Sequence, residues 1–237
     1  MPDMRQIVLD TETTGLSWEK GNRIVEVGCI ELLERRPTGR QFQRYFNPGR
    51  EMEPGAQEVT GLSLEFLRDK PRFEDVLDEL LDFIRGAELI IHNASFDVGF
   101  LNHELSLAGP GYGRLEQHAS VLDTLAMARE RFPGQRNSLD ALCRRLGVDN
   151  AHRKLHGALL DAELLAEVYL GLTAGQGDLG LAPVGESRVA TGRVPQAAPT
   201  GARLVLRASD AEVAAHEARL QKIAAKAGKR LWPEATA

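Results

Sequence analysis

The chain has 237 residues, 43% apolar and 27% charged, with a formal net charge of −5, which suits one generous domain or a domain and a tail. An acidic body argues against tight non-specific duplex binding by charge alone, although residues 201–237, with seven basic and four acidic side chains, are locally +3. Residues 1–5 lack the apolar run of a signal peptide, no stretch is long enough to span a membrane, and Cys29 and Cys143, both in apolar surroundings, read as buried thiols of a reducing cytoplasm.

Residues 6–11 begin β-branched and apolar and read as a buried strand that ends in Asp10-Thr11-Glu12. Side chains two apart on a strand share a face, so Asp10 and Glu12 project side by side. Close carboxylates resist being ionised together, and a divalent cation such as Mg²⁺ or Mn²⁺ relieves the conflict. On spacing alone, a charged strand end meeting solvent explains the pair equally well. Residues 23–33 form a second strand, ended by a turn signal over 35–39. A third runs over 40–46 with Phe42 and Phe46 on one face, giving an antiparallel meander. Residues 54–61 read as a loop, and 63–69 as a short helix capped by Ser63. Phe73, Val76, Leu77, Leu80, Leu81 and Ile84 mark an amphipathic helix across 71–85, closed by Gly86.

Residues 88–92 are a short buried strand. Ser95 follows as the N-cap of a helix whose first turn holds Asp97, at the strand end where open α/β sheets place their sites. Residues 120–125 make a weaker strand. Helices follow over 124–131, over 138–146 with Asn137-Ser138 as cap, and over 157–172 with Leu160, Leu164, Val168 and Leu172 as its stripe. Gly, Pro, Ala and Gln dominate 175–201, a flexible linker. Residues 203–206 have the make-up of a short strand. Ser209 and Glu212 form a capping box for a helix to about 228. Its apolar face of Leu220, Ile223 and Ala224 is too narrow to fold alone and suits docking on a partner, the alternative being a fraying tail.

Asp10, Glu12 and Asp97 meet at one sheet edge on this reading. His156 and Asp161 stand five residues apart, about 500° on a helix, so they cannot share a helical face. Asp161 therefore belongs on the helix and His156 in the loop or first turn before it. Four acids with no Lys or Arg among them demand cations. Two divalent ions about 4 Å apart are the arrangement that hydrolyses phosphodiesters, with a histidine to take a proton from water near neutral pH.

The set D-T-E-T-T-G-L (10–16), H-N-A-S-F-D (92–97) and H-G-A-L-L-D (156–161) resembles the DEDDh family of 3′-to-5′ exonucleases over residues 5–172. Residues 136–143, 158–169 and 214–220, with the late Leu231-Trp232, are similar to the proofreading subunits of bacterial DNA polymerase III within that family. The resemblance implies an α/β, RNase H-like fold: a five-stranded mixed sheet flanked by helices over 1–174. A linker over 175–202 and a polymerase-docking tail over 203–237 follow. It implies two divalent ions, Mg²⁺ or Mn²⁺. Asp10 bridges both, Glu12 and Asp161 hold the one carrying the attacking water, and Asp97 holds the second. His156 is the general base. Thr13 meets the terminal nucleotide through its backbone, Leu16 wedges against the last base, Phe96 packs beneath it, and Asn93 orders that wall. The loop over 54–61 matches the family's nucleotide-facing loop in outline, and Thr60 is carried over as a contact, although relatives place a histidine there and a glutamate at Gly55.

The implied partners are the single-stranded 3′ end of a DNA primer and, through 203–237, the alpha subunit of DNA polymerase III. Gln176, Leu179 and Leu181 also fit the Q-x-x-L-x-L pattern of peptides that hold the sliding clamp. The implied activity is removal of misincorporated nucleotides as 5′-monophosphates in the bacterial cytoplasm. RNA trimming, DNA repair and a non-catalytic clamp–polymerase adaptor are the rival readings.

Overall fold

Strand β1 (Arg5–Thr13) is the middle of a five-stranded mixed sheet. It pairs antiparallel with β2 (Ile24–Leu33), which pairs antiparallel with β3 (Arg36–Tyr45). On its other side β1 runs parallel to β4 (Glu88–Ile91), which runs parallel to β5 (Ser120–Asp123). The order is β3-β2-β1-β4-β5. The computed structural model describes residues 5–153, 155–174 and 208–227, in two units, one within 1–179 and one within 180–237. The linker and its clamp-type peptide, the strand expected over 203–206, and Leu231-Trp232 lie outside the described residues.

Alternation along β1 sorts the core into two layers. Ile7 and Leu9 face a large cluster containing Phe73, Leu77, Leu80 and Ile84 of α3 (Phe73–Ile84) and Phe100, Leu101 and Leu105 of α4 (Ala94–Ala108). Val8 faces Ala162, Leu165, Ala166 and Tyr169 of α7 (Ala158–Thr173). The stripe Leu164, Val168 and Leu172 turns away from the sheet toward Ala128 of α5 (Thr124–Arg131) and Leu142 and Cys143 of α6 (Leu139–Leu146). Helix α7 is thus apolar on two sides because it is buried on two sides.

Several local expectations are corrected. Residues 54–60 are not loop but helix α1 (Pro54–Thr60). Pro54 stands in the first turn, where its missing N–H costs nothing, and Gly61 closes the helix at φ +69°. The turn after β2 is only Glu34-Arg35, both at positive φ, so β3 begins at Arg36 and carries Pro37, which an edge strand tolerates. Helix α4 starts at Ala94, capped not by Ser95 but by Asn93 at φ +65°, whose N–H donates to Asp123 Oδ1 at 3.1 Å. A left-handed residue turns the chain sharply out of β4, and asparagine tolerates that conformation. Ser138 stands at the cap of α6 without a side-chain cap bond, and the Asn137 amide donates instead to the Phe132 carbonyl. Ser63 does cap the short helix α2 (Leu64–Leu67), accepting from the Phe66 N–H. In the second unit, Ser209 and Glu212 form the expected capping box of α8 (Asp210–Ala227).

Candidate active site

The end of β1 places Asp10 and Glu12 on the α7 side, next to a bulge between Glu12 and Thr13. Two residues of β2 seat α7 there. Gly28 pairs with Asp10. A Cβ on Gly28 would lie 2.2 Å from the Leu159 nitrogen and 2.3 Å from the Ala158 carbonyl carbon, so only glycine lets the helix start approach the sheet so closely. Glu26, 2% exposed, pairs with Glu12. Its Oε2 accepts from the Ala158 N–H at 3.1 Å and its Oε1 from Gln43 at 2.8 Å. Gly157 has no side chain to cap α7, so a carboxylate from the neighbouring strand caps it. Asp161 is thereby held in the first helical turn beside β1.

The remaining groups arrive from elsewhere. Asp97 lies in the first turn of α4, where its Oδ1 accepts from the Thr11 hydroxyl at 2.6 Å. Thr11 points to the face opposite Asp10, so Asp97 reaches the site from the other layer. His156 sits in the loop before α7, its N–H donating to the Val59 carbonyl of α1 at 2.9 Å, its side chain 45% exposed. Ligand atoms of Glu12, His156 and Asp161 all lie within 4.8 Å of one another. Asp10, Asp97, Asn93 and Phe96 line the same cleft, of about 330 Å³.

One expectation fails outright: the acids are not free of cations from the chain itself. Arg153, its side chain 8% exposed, donates to Asp161 Oδ1 from Nε at 2.5 Å and to Asp161 Oδ2 from Nη2 at 2.6 Å. Nη2 also reaches His156 Nδ1 at 2.8 Å, and Nη1 donates to Asp140 at 2.9 Å. The periodicity around 150–156 is irregular, and nothing in it marks a basic side chain turned inward. Glu26, Thr11 and Asp123 were missed because each acts through a partner distant in the chain, and Asp140 because its partners Asn150 and Arg153 lie in that same irregular loop.

Charge is divided unequally. Arg153 holds the buried Asp161 carboxyl below the usual carboxylate range, overcoming the opposing effect of burial. Burial, then the charges of Asp97, Glu12 and Asp161, pushes Asp10 well up. Burial pushes Glu12 up to about 8, with Asp161 and Glu26 adding to it. Burial pushes Asp97 up to about 7 against the Thr11 hydrogen bond. Among the described residues, the buried Glu12 Oε1 has no hydrogen-bond partner. An orphaned oxygen among repelling carboxylates is the donor set that a hard divalent cation satisfies.

A pH effect on stability follows. The folded protein holds protons on Glu12 and Asp97 that the unfolded chain releases near pH 4 to 4.5, so their contribution is complete below that range and is lost as pH rises through 7 to 8. In EDTA, Tm is expected to fall between pH 5.5 and 8.5, and Mn²⁺ to flatten the fall. A Tm independent of pH in EDTA would contradict the assignment of strained carboxylates.

The substrate-side residues border an adjoining cleft of about 320 Å³ lined by Thr13, Leu16, Val59, Thr60 and Phe96. Leu16 is 84% exposed, and Phe96 is half-buried against Phe100, ring centroids 4.9 Å apart. Thr13 is buried, its hydroxyl donating to the Gly15 carbonyl. Thr60 spends its hydroxyl locally, donating to the Ala56 carbonyl and accepting from the Leu62 N–H, so it meets the cleft chiefly as apolar lining. Asn93 is exposed at the rim.

The family model described as Exonuclease (RNase_T) matches residues 7–169. DNA polymerase III subunit epsilon of Salmonella typhimurium is 49% identical over 235 residues, covering 96% of this chain and 97% of that protein. The Escherichia coli protein of the same name is 48% identical over the same shares. That of Rickettsia felis is 53% identical over 176 residues, 74% of this chain and 77% of that one. Among solved structures, exonuclease X in complex with 5′-overhanging duplex DNA superposes with a TM-score of 0.57 at 23% identity, over 72% of this chain and 92% of that one. The zinc-bound E. coli ExoI–ssDNA complex gives 0.59 at 18%, over 73% and 41%. These structural likenesses show the exonuclease fold, of RNase H-like type.

Proposed function

The chain belongs to the exonuclease family, with the DNA polymerase III epsilon subunits, and on that premise we propose that this 3′-to-5′ exonuclease proofreads for a bacterial replicative polymerase by two-metal hydrolysis. The observation that carries the reading is the convergence of Glu12, His156 and Asp161 within 4.8 Å, with the Glu12 Oε1 atom orphaned among the described residues. Asp10 would be shared between two divalent cations, Mg²⁺ or Mn²⁺, with Glu12 and Asp161 completing the hold on one and Asp97 on the other. Bound there, the cations supply Lewis acidity that eases ionisation of a water and steadies the departing oxygen. His156, exposed and next to Asp161, takes the proton from the attacking water. The water oxygen bonds to phosphorus as the phosphorus–O3′ bond breaks, the departing 3′ oxygen takes a proton from solvent, and a 5′-monophosphate leaves. The Thr13 backbone, Leu16 and Phe96 border the cleft for the terminal nucleotide, with Asn93 at its rim and Thr60 as lining.

An acidic body limits unaided affinity for DNA, so tethering would raise the local concentration of enzyme at the primer end. We assign that tethering to residues 203–237, bound to the polymerase III alpha subunit, with 175–202 as linker and 176–181 as a clamp-binding peptide. The setting is the bacterial cytoplasm.

The test is digestion of paired and mismatched primer-templates. With Mg²⁺ or Mn²⁺, mismatched termini are expected to be shortened about tenfold faster, because frayed ends need less unpairing. The product should be 5′-monophosphates, and EDTA should stop the reaction. A chain lacking 203–237 should digest free oligonucleotides normally but fail to co-elute with alpha, and Q176A/L179A should lose clamp pull-down. Faster digestion of RNA than of mismatched DNA would move the assignment to RNA trimming, and unaltered alpha binding would free the tail of its role.

A further inference from the structure

We infer that Arg153 is a resident counter-ion that holds the cation-free site together and must release Asp161 when a divalent cation binds. The inference rests on the metal-dependent reading above. Its basis is positional. Nη2 of Arg153 lies 2.6 Å from Asp161 Oδ2 and 2.8 Å from His156 Nδ1, two of the three groups whose ligand atoms cluster within 4.8 Å. A guanidinium nitrogen therefore stands between the groups that an ion would bridge. Nε takes the other Asp161 oxygen at 2.5 Å, so the fork engages both carboxylate oxygens at once.

Two consequences follow from elementary chemistry. First, the guanidinium cannot give up its charge, so a divalent cation bound at Asp161 meets a fixed positive charge at contact distance until the fork opens. Secondly, arginine only donates, and its Nη2, at 2.8 Å, lies nearer His156 Nδ1 than Asp161 Oδ2 does at 3.3 Å, so a neutral ring accepts at Nδ1 and carries its proton on Nε2. Arg153 thus occupies one ring nitrogen and, through the tautomer it selects, fills the other. The side chain has somewhere to remain when it lets go, because Nη1 is anchored separately on Asp140, itself fixed by Asn150 at 3.1 Å. Release of Asp161 needs movement of one fork, not expulsion of the whole side chain.

A competing ion and a supporting neighbour predict opposite results. A residue that orients a ligand for the metal weakens metal binding by about 10- to 100-fold when removed. A residue that competes for the ligand strengthens it. The experiment measures the Mn²⁺ dissociation constant by electron paramagnetic resonance, together with Tm in EDTA, for the wild-type full chain, R153M and R153K. R153M is expected to bind Mn²⁺ about tenfold more tightly, the lower end of that range with its sign reversed, and to melt lower in EDTA. R153K keeps the charge without the planar fork and should fall between. If R153M unfolds in EDTA, refolding on Mn²⁺ titration at a lower concentration than saturates the wild type is the same result. Weaker or unchanged Mn²⁺ binding in R153M, or an unchanged Tm in EDTA, overturns the inference. Absence of Mn²⁺ binding by the wild type would instead overturn the metal-dependent reading on which it stands.

Discussion

Asp10→Ala is expected to lower 3′-to-5′ hydrolysis by more than about a thousandfold while leaving the fold intact, measured as nucleotide release alongside circular dichroism. Asp10 is half-buried, in the middle strand, and its carboxyl is pushed up by desolvation and by Asp97, Glu12 and Asp161. The Arg153 charge offsets that arrangement only in part, since Asp10 still stands well above the usual carboxylate range. The same substitution should therefore leave Tm in EDTA unchanged or raise it, since it removes a group the fold holds at a cost. Loss of activity with equal or greater stability marks a residue kept for chemistry. Full activity would remove the metal assignment, and a large drop in Tm would make Asp10 structural.

Gly28→Ala should disable the enzyme without touching an acid. Its Cβ would stand 2.2 Å from the Leu159 nitrogen, well inside any permitted contact, and the neighbouring atoms are backbone that cannot rotate away. Helix α7 must shift, at about 3 kcal/mol or more, the upper end for overpacking a core. Asp161 and the loop bearing His156 would shift with it. Misplacement by about 1 Å can cost roughly 100-fold in rate, so activity should fall by about that factor, with a lower Tm. Wild-type turnover and Tm in G28A would mean that the close approach of α7 to β2 is not what sets the site.

The two outcomes draw on parts of the molecule that differ in how readily the sequence discloses them. The D-x-E pair is legible because a strand's two-residue period is short and local, and the same holds for the position of Asp161 against His156, which needs only the pitch of a helix. The order of helices and strands follows from equally local signals. Helix α1 was hidden by its own start: Pro54 and Gly55 look like loop unless the proline is placed in the first helical turn. The cap of α4 was hidden because Asn93 holds it by backbone conformation and not by a side-chain bond. Glu26 and Arg153 are a different matter. Glu26 acts across the fold on a helix start 132 residues away, and Arg153, in an irregular loop, joins acids from two helices. No window along the chain contains Glu26 and its helix, and although Arg153 stands only 8 residues from Asp161 and 13 from Asp140, no periodicity marks it as turned inward.

That closure comes late. Everything through β5 can be made while one side of the sheet, including Val8 and Ile90, still waits for Ala162, Leu165 and Tyr169 to cover it. A ribosome that has delivered the first three acids has not yet delivered His156 or Asp161. If His156 and Asp161 act as proposed, the unfinished polypeptide is a blade without an edge, and the step that seals its greasy underside also arms it.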